Sequence, residues 1–228
     1  MSTRAEMLQS ESSELTRMPE PTRFAWAISG SAADRHPTAD RDLDVLPECV
    51  VAPSIGAIVP GWLLLIPRKP ALSMRDLPDA ERRAILYRAR AVAKVLSAAN
   101  KYVAIFEHGP SRRGSMAGCG IDQAHIHVVA LPFDLANHTR LLYPEHAWTD
   151  VCPDDPWSRV TPNADYYMVS GSAGLFISEP TDVLSQFFRR VIAEAVGRTD
   201  EWDYRQHPND RNIRATIDLY ASSLLRAA

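Results

Sequence analysis

The order of apolar and polar positions predicts a sheet with one long helix packed on it. Residues 62–66 and 102–106 are apolar runs of strand length, and residues 45–52 contain a strand that a proline interrupts. Residues 79–100 repeat apolar side chains near the helical period, with Asp79 as the predicted N-cap. The strands on either side of this helix predict an α+β fold with an antiparallel sheet.

The remaining segments follow other patterns. Polar, proline-containing residues 1–22 predict a disordered tail, and residues 24–28 predict a short strand. Residues 131–162 show no periodic pattern and predict an irregular segment. Beyond them, the pattern predicts a hairpin of strands at 166–169 and 175–177 and helices at 185–196 and 212–225. We therefore expect three parts: a tail at 1–22, a first domain at 23–133 and a C-terminal extension at 134–228 packed on it.

The strand predicted after residue 122 carries polar side chains on one face. Successive side chains of a strand point to opposite faces, so Gln123, His125 and His127 share one face. Ala124 and Ile126 belong to the other, apolar face. A strand that only packs has no need of three hydrogen-bonding side chains in a row. The three polar residues are therefore the candidate catalytic residues.

A glycine-rich segment, residues 106–120, leads into this strand. Its two arginines, Arg112 and Arg113, and its backbone amides are groups that bind phosphate. Neutral imidazole can attack phosphorus and form a phosphoramidate, provided that an acceptor holds its other nitrogen. The segment lacks the Lys-Ser/Thr ending of a Walker loop, so the pattern indicates histidine chemistry on a phosphate instead.

Composition limits the classes of partner. The chain has 228 residues and a net charge of -3, which argues against general nucleic-acid binding. No apolar run approaches the roughly 20 residues needed to cross a bilayer, and the first residues lack the apolar core of a secretory signal. The three cysteines have no disulfide-framework spacing, so we expect reduced thiols in a cytoplasmic protein.

Residues 45–133 resemble the histidine-triad (HIT) superfamily, whose motif is His-x-His-x-His followed by apolar residues. His125 falls on the middle histidine of that motif and His127 on the third. Residues 60–68, Pro-Gly-Trp-Leu-Leu-Leu-Ile-Pro-Arg, are similar to the family's Pro-Gly-His-x-Leu-x-Ile-Pro-Lys strand, and residues 72–100 to its lead-in and long helix. The family's loop before the triad is matched by Glu107-His108-Gly109 and Ala117-Gly118.

The resemblance implies a role for each matching residue. His125 would attack the α-phosphorus of a nucleotide, the main-chain carbonyl of Gln123 would orient it, and His127 would contact the phosphate oxygens. The resemblance and the loop composition together give the expected substrate-binding residues as Ser54, His108, Gly109, Arg112, Arg113, Gly118 and Cys119.

The sequence also departs from the family pattern. Gln123 replaces the first histidine of the triad, and Trp62 replaces the histidine of the Pro-Gly-His segment. Ser54 stands where many members have a ribose-binding aspartate, and Cys119 where many have glutamine. Gln123 keeps the main-chain acceptor but cannot carry a proton at neutral pH. We therefore predict a slower or differently tuned enzyme instead of an inactive one.

Four alternatives stay open at this point. In a second register, His127 is the nucleophile and Val129 takes the third position of the motif. The protein could also be a nucleotide-binding module without turnover, or both histidines could only pack. A zinc site is the fourth alternative. Its ligands would be drawn from His125, His127, His108, Glu107 and Cys119.

The predicted function is cleavage of a nucleotide phosphoanhydride or phosphoramidate through a covalent nucleotidyl-histidine. Hydrolysis is the favoured outcome, and another acceptor would make the enzyme a phosphorylase or nucleotidyltransferase. The expected partner is a nucleotide or a dinucleotide such as a dinucleoside polyphosphate, with no cofactor and no metal. The resemblance also implies a homodimer, unless the extension covers the same surface within one chain.

Arg189 lies in a Ser-Gln-x-x-Arg-Arg-x-Ile-Ala segment that resembles longer bacterial relatives. Its side chain either reaches the site or faces solvent.

Overall fold

The computed structural model describes residues 23–30, 35–97 and 100–227, so the predicted tail at 1–22 lies outside the described residues. The strands are β1 (Asp44–Val45), β2 (Cys49–Pro53), β3 (Trp62–Pro67), β4 (Tyr102–Gly109), β5 (Ile126–Leu131), β6 (Thr149–Asp150), β7 (Tyr166–Gly171) and β8 (Gly174–Ser178). The α-helices are α1 (Ala25–Ser29), α2 (Asp79–Leu96), α3 (Leu135–Leu142), α4 (Phe187–Ala195) and α5 (Asp210–Ala227). All neighbouring strands are antiparallel, in the order β1-β2-β3-β5-β4-β7-β8-β6, which confirms the predicted α+β fold.

Helix α2 covers one face of the sheet. Ile126 and Val128 of β5 belong to the same buried cluster as Ile85 and Val92 of α2, as the alternating pattern predicts. His127 points to the opposite face, where its strand neighbours are Leu64 of β3 and Phe106 of β4. The apolar side of the histidine strand therefore anchors it to the long helix and leaves the histidines on the other side.

Residues beyond 133 extend the same sheet. The predicted hairpin is present as β7 and β8, and β7 pairs with β4 through Phe106↔Val169 and Gly109↔Tyr166. Helix α4 packs on the histidine face, where the Phe188 ring lies 4.8 Å from that of Phe106. In the part of the chain that the structure describes, no helix combines the length and apolarity needed to cross a membrane.

The short strand predicted at 24–28 is wrong, because residues Ala25–Ser29 form helix α1. Gly30 ends the helix in a left-handed conformation with φ 72°, which glycine adopts without strain. Trp26 and Ala27 are buried, and Phe24 and Trp26 pack beside Leu64. Five consecutive residues without a polar side chain provide no period, so the pattern alone could not separate strand from helix.

Two further predictions need correction. Asp79 is the first residue of α2 and Pro78 is its N-cap, and the helix ends at Leu96 instead of residue 100. Pro78 has no backbone N–H to leave unpaired there, and Asp79 still places its charge in the first turn. Residues 131–162 are not wholly irregular, since they contain α3 and β6. Asp134 caps α3 by accepting a hydrogen bond from the Asn137 amide at 3.0 Å.

Glu107 of β4 holds together two segments that are distant in the sequence. One carboxylate oxygen accepts from the Met74 amide at 2.7 Å, and the other accepts from Trp157 Nε1 at 2.8 Å. Burial raises the pKa of this carboxyl to about 7. Two buried N–H groups, from residues 83 positions apart in the chain, thus depend on one side chain.

Replacing Glu107 with alanine should therefore destabilise the protein. Two buried donors would lose their acceptor, so we expect a loss of about 2–4 kcal/mol in the free energy of unfolding, measured by urea denaturation. Glu194→Ala is the matched control, because Glu194 is exposed on α4, and it should remain close to wild type. Equal stability of the two variants would contradict the assigned role of Glu107.

Candidate active site

His125 is held by the backbone immediately before β5. Its Nδ1 lies 2.8 Å from the main-chain carbonyl oxygen of Gln123, the contact that the resemblance implies. A carbonyl oxygen can only accept, so Nδ1 carries the proton and Nε2 keeps its lone pair. Burial lowers the pKa of His125 to about 4, and nearby Arg189 adds to this effect. At neutral pH, His125 is therefore an uncharged imidazole with a free Nε2.

His127 has the opposite tautomer. Trp62 Nε1 donates to His127 Nδ1 at 3.0 Å, so the proton of the neutral ring lies on Nε2. The ring also stacks on Phe106, with centroids 4.4 Å apart. Burial holds the pKa of His127 well below its usual value. Trp62, which replaces a histidine of the family motif, thereby fixes His127 as a hydrogen-bond donor.

A third histidine and the start of helix α4 complete this side of the site. The Phe188 amide donates to His108 Nε2 at 3.2 Å, and burial lowers the pKa of His108 to about 3. The Gln186 amide donates to Cys119 Sγ at 3.1 Å. Burial raises the pKa of Cys119 to about 11, so this thiol is protonated at neutral pH. The first amides of α4 therefore point at residues of the site.

These side chains enclose one small pocket. Its lining consists of Phe24, Ser54, Ile55, Leu64, His108, Cys119, Ile121, His125, His127, Arg189 and Tyr204. The cavity volume is about 30 Å³, which is room for water. The three histidines are uncharged at neutral pH for the reasons given above, whereas Arg189 stays protonated because burial lowers its pKa only to about 10. The pocket therefore carries a positive charge.

Five of the ten residues predicted for the site line this pocket: Ser54, His108, Cys119, His125 and His127. Gln123 contributes its main-chain carbonyl, but its side chain is directed elsewhere. Its Nε2 donates to the Lys69 carbonyl at 3.2 Å and its Oε1 accepts from the Ala71 amide at 3.4 Å. In this structure, the residue that replaces the first triad histidine ties β5 to the segment after β3.

The other four predicted residues lie outside the pocket lining, and their contacts with a substrate stay predictions. Arg112 and Arg113 are exposed, and Arg113 lies 3.9 Å from Asp122. Gly109 faces the Tyr166 ring, where a Cβ would come within 2.0 Å of a ring carbon. The Cα of Gly118 faces Pro110, and its Cβ would lie 3.2 Å from a ring carbon of that proline. Both glycines have a packing reason to be small.

Sequence reasoning did not place six of the lining residues, and three of these, Phe24, Tyr204 and Arg189, have side chains that bear on the site. Phe24 is 2% exposed, and its ring centroid lies 5.2 Å from that of His125. Tyr204 donates to the Cys119 carbonyl at 3.3 Å. Arg189, for which the sequence left two positions open, is buried in the pocket wall. Its Arg-Arg motif was a visible signal, whereas nothing local marks Phe24 or Tyr204.

The residues considered as zinc ligands do not form a metal-binding group. Within the described ranges, no group of three or more His, Cys, Asp or Glu side chains could hold a metal ion. Glu107 is turned toward Met74 and Trp157, and His127 Nδ1 is occupied by the indole of Trp62. The arrangement gives the zinc alternative no ligand set among these residues.

The fold and the pocket define a class of protein: an α+β domain in which two histidines, two positions apart, face a small buried site. Residues 45–133 match the family model of the HIT domain, which confirms the resemblance of this segment to that family. No curated protein matches the chain. Among solved structures, it is similar to one described as "Structure of uridylyltransferase", with 11% identity and a TM-score of 0.38, over 78% of this chain and 87% of that chain.

Proposed function

We propose that this protein cleaves nucleotide phosphoanhydrides or phosphoramidates at the α-phosphorus, with His125 as the nucleophile. The observation that carries the proposal is the 2.8 Å contact between His125 Nδ1 and the Gln123 carbonyl oxygen. It places the proton on Nδ1 and leaves the Nε2 lone pair available for attack. The low pKa of about 4 keeps His125 in this form across the neutral pH range.

The reaction has two displacements. In the first, the His125 Nε2 lone pair forms a bond to the α-phosphorus, and the bond from phosphorus to the leaving-group oxygen or nitrogen breaks with its electron pair. In the second, an acceptor oxygen attacks phosphorus and the N–P bond breaks, which returns the electron pair to Nε2. With water as the acceptor, its proton passes to solvent and the reaction is hydrolysis. Phosphate or another acceptor would make it phosphorolysis or transfer.

The tautomers support His125 over His127 as the nucleophile. The indole N–H of Trp62 occupies the Nδ1 lone pair of His127, so the neutral ring has its proton on Nε2. A protonated nitrogen cannot attack phosphorus, but it can donate to a phosphate oxygen as negative charge develops there. This division of roles agrees with the register in which His127 is the third position of the motif.

The other departures from the family pattern leave uncharged groups in the pocket lining. Cys119 contributes a protonated thiol and Ser54 a hydroxyl, and neither adds a charge to the pocket. The Gln123 side chain is committed to the segment at 67–71 and takes no part in proton transfer. We therefore expect the leaving group to depart without a side-chain acid at that position, and we expect substrates with good leaving groups to react fastest.

Trapping the covalent intermediate tests the proposal directly. Wild-type protein incubated with a dinucleoside polyphosphate or a nucleoside phosphoramidate and quenched in base should gain the mass of one nucleotidyl group. Peptide mapping by mass spectrometry should place that group on His125. Cys119→Ser is the control for the other nucleophilic atom in the pocket, and it should still form the adduct because the native thiol is protonated.

Other outcomes distinguish the alternatives. An adduct on His127 would establish the second register and overturn the assignment. Nucleotide binding without adduct or product, under conditions that trap an adduct on a control HIT enzyme, would identify a binding module. Stoichiometric zinc lost on substitution of His125 would show that the histidine is a metal ligand.

A further inference from the structure

Helix α4 of the C-terminal extension brings Arg189 into the pocket. The residue is 3% exposed, and its guanidinium carbon lies 4.8 Å from the ring centroid of Trp62, the residue that orients His127. On another side, it lies 5.8 Å from the ring centroid of Tyr204. Two aromatic faces and the helix therefore fix the guanidinium inside the wall that also contains the histidines.

The protein supplies this cation with carbonyl groups instead of a carboxylate. Arg189 Nε donates to the Trp202 carbonyl at 2.9 Å, and Nη2 donates to the Gly56 carbonyl. Among the described residues, no ion pair joins Arg189 to an acidic side chain. Asp203, which lies nearby in the chain, is bound by Arg205 and Gln186.

A buried cation without a paired carboxylate is unfavourable, because desolvation costs several kcal/mol and carbonyl groups and aromatic faces offset only part of that cost. The neighbouring histidines cannot supply negative charge, and they are uncharged at neutral pH. The arrangement is consistent with a site whose missing charge belongs to the ligand. A phosphate group fits this chemistry, since guanidinium forms charge-assisted hydrogen bonds with its oxygens.

We propose that Arg189 is the phosphate-binding cation of the site, supplied by the C-terminal extension to the histidines of the HIT domain. The inference rests on the proposed function. It adds that the substrate carries a negatively charged phosphate group at the reacting centre. Arg189 donates to a non-bridging oxygen, and its charge offsets the charge that builds up as His125 attacks. The extension is then a part of the binding site as well as of the sheet.

Binding measurements with AMP and adenosine test this role. Arg189→Met keeps much of the side-chain length but removes the charge, so affinity for AMP should decrease about 10- to 100-fold, while affinity for adenosine should stay unchanged. Arg189→Lys should recover part of the loss. Arg190→Met is the matched control: Arg190 stacks on Trp202 at 3.3 Å, lies outside the pocket lining and should bind AMP like wild type.

The thermal stability of the wild-type protein provides a second test, which does not depend on the folding of Arg189→Met. Inorganic phosphate should raise the Tm of wild type, relative to chloride at equal ionic strength, and should raise it less in Arg189→Lys. Wild-type AMP affinity in folded Arg189→Met, or no phosphate effect on wild-type Tm, would overturn the inference. If no adduct forms on His125 but Arg189→Met still loses AMP affinity, the proposed function fails and the phosphate site stands.

Discussion

Replacing His125 with alanine should reduce turnover of dinucleoside polyphosphates or nucleoside phosphoramidates by at least about 10⁴-fold, the range seen when a catalytic nucleophile is removed. Of His125 and His127, only His125 has an Nε2 with a free lone pair, and the substitution removes it. No other residue of the pocket lining provides an unprotonated nucleophile that a backbone carbonyl orients. Because the loss falls on the chemical step, kcat should decrease while nucleotide affinity changes little. Steady-state kinetics and AMP binding measure the two effects separately.

His138→Ala provides the control for this experiment. His138 is a half-buried histidine of α3 that packs on Phe133, with ring centroids 5.0 Å apart, and it lies outside the pocket lining. Its removal should leave kcat unchanged. Circular dichroism and Tm should show that His125→Ala keeps its fold, since the ring contributes little to the main core. Turnover near the wild-type rate in folded His125→Ala would remove the nucleophile assignment.

Lowering the pH from 7.5 to 5 should strongly destabilise the fold. Histidine in an unfolded chain has a pKa of about 6.5, whereas burial lowers the pKa of His125 to about 4 and that of His108 to about 3. The pKa of His127 is also well below the usual value, and that of His146 is lowered by burial. Below pH 6.5, unfolding therefore takes up protons that the folded protein does not bind, and its free energy decreases as the pH falls.

The expected slope is about 1 kcal/mol per pH unit for each of the three pocket histidines, His108, His125 and His127. Glu107 has the opposite effect on the free energy of unfolding. Because its pKa is raised in the folded protein, the folded protein holds up to one proton that the unfolded chain releases. Urea denaturation at pH 7.5, 6 and 5 measures the slope. His125→Gln should lower the slope by about one proton. A wild-type stability that is constant between pH 7.5 and 5 would show that the pocket histidines titrate normally.

The parts of the fold with strong local patterns could be predicted. β3 and β4 are apolar runs of strand length, and α2 repeats its apolar positions over five turns. The contact between His125 and the Gln123 carbonyl was implied by the resemblance to the HIT superfamily, and it joins residues two positions apart. Sequence was informative where the determining interactions are local.

Tertiary packing decided the rest. Arg189 is 64 positions from His125 along the chain, and only the addition of β7 to β4 and the packing of α4 bring the two into one pocket. Arg112 and Arg113 lie in a glycine-rich segment close to the histidines in sequence and were predicted to bind phosphate, yet both are exposed. Charge and proximity in sequence did not show which arginine faces inward, since burial depends on the elements that cover the loop.

Phe24 is part of the wall that closes the pocket, so the measured affinity for a nucleotide should include the cost of opening that wall. Ligand pockets usually have about 300–1,000 Å³, and this cavity has about 30 Å³, so we expect a nucleotide to bind conformations in which the wall has moved. The measured Kd is then the intrinsic Kd divided by the open fraction, and an open fraction of about 1% weakens binding about 100-fold. Substitutions in α1 should scale the affinities of all nucleotides by one common factor. Substitutions at Arg189 should instead separate the nucleotides from the nucleosides.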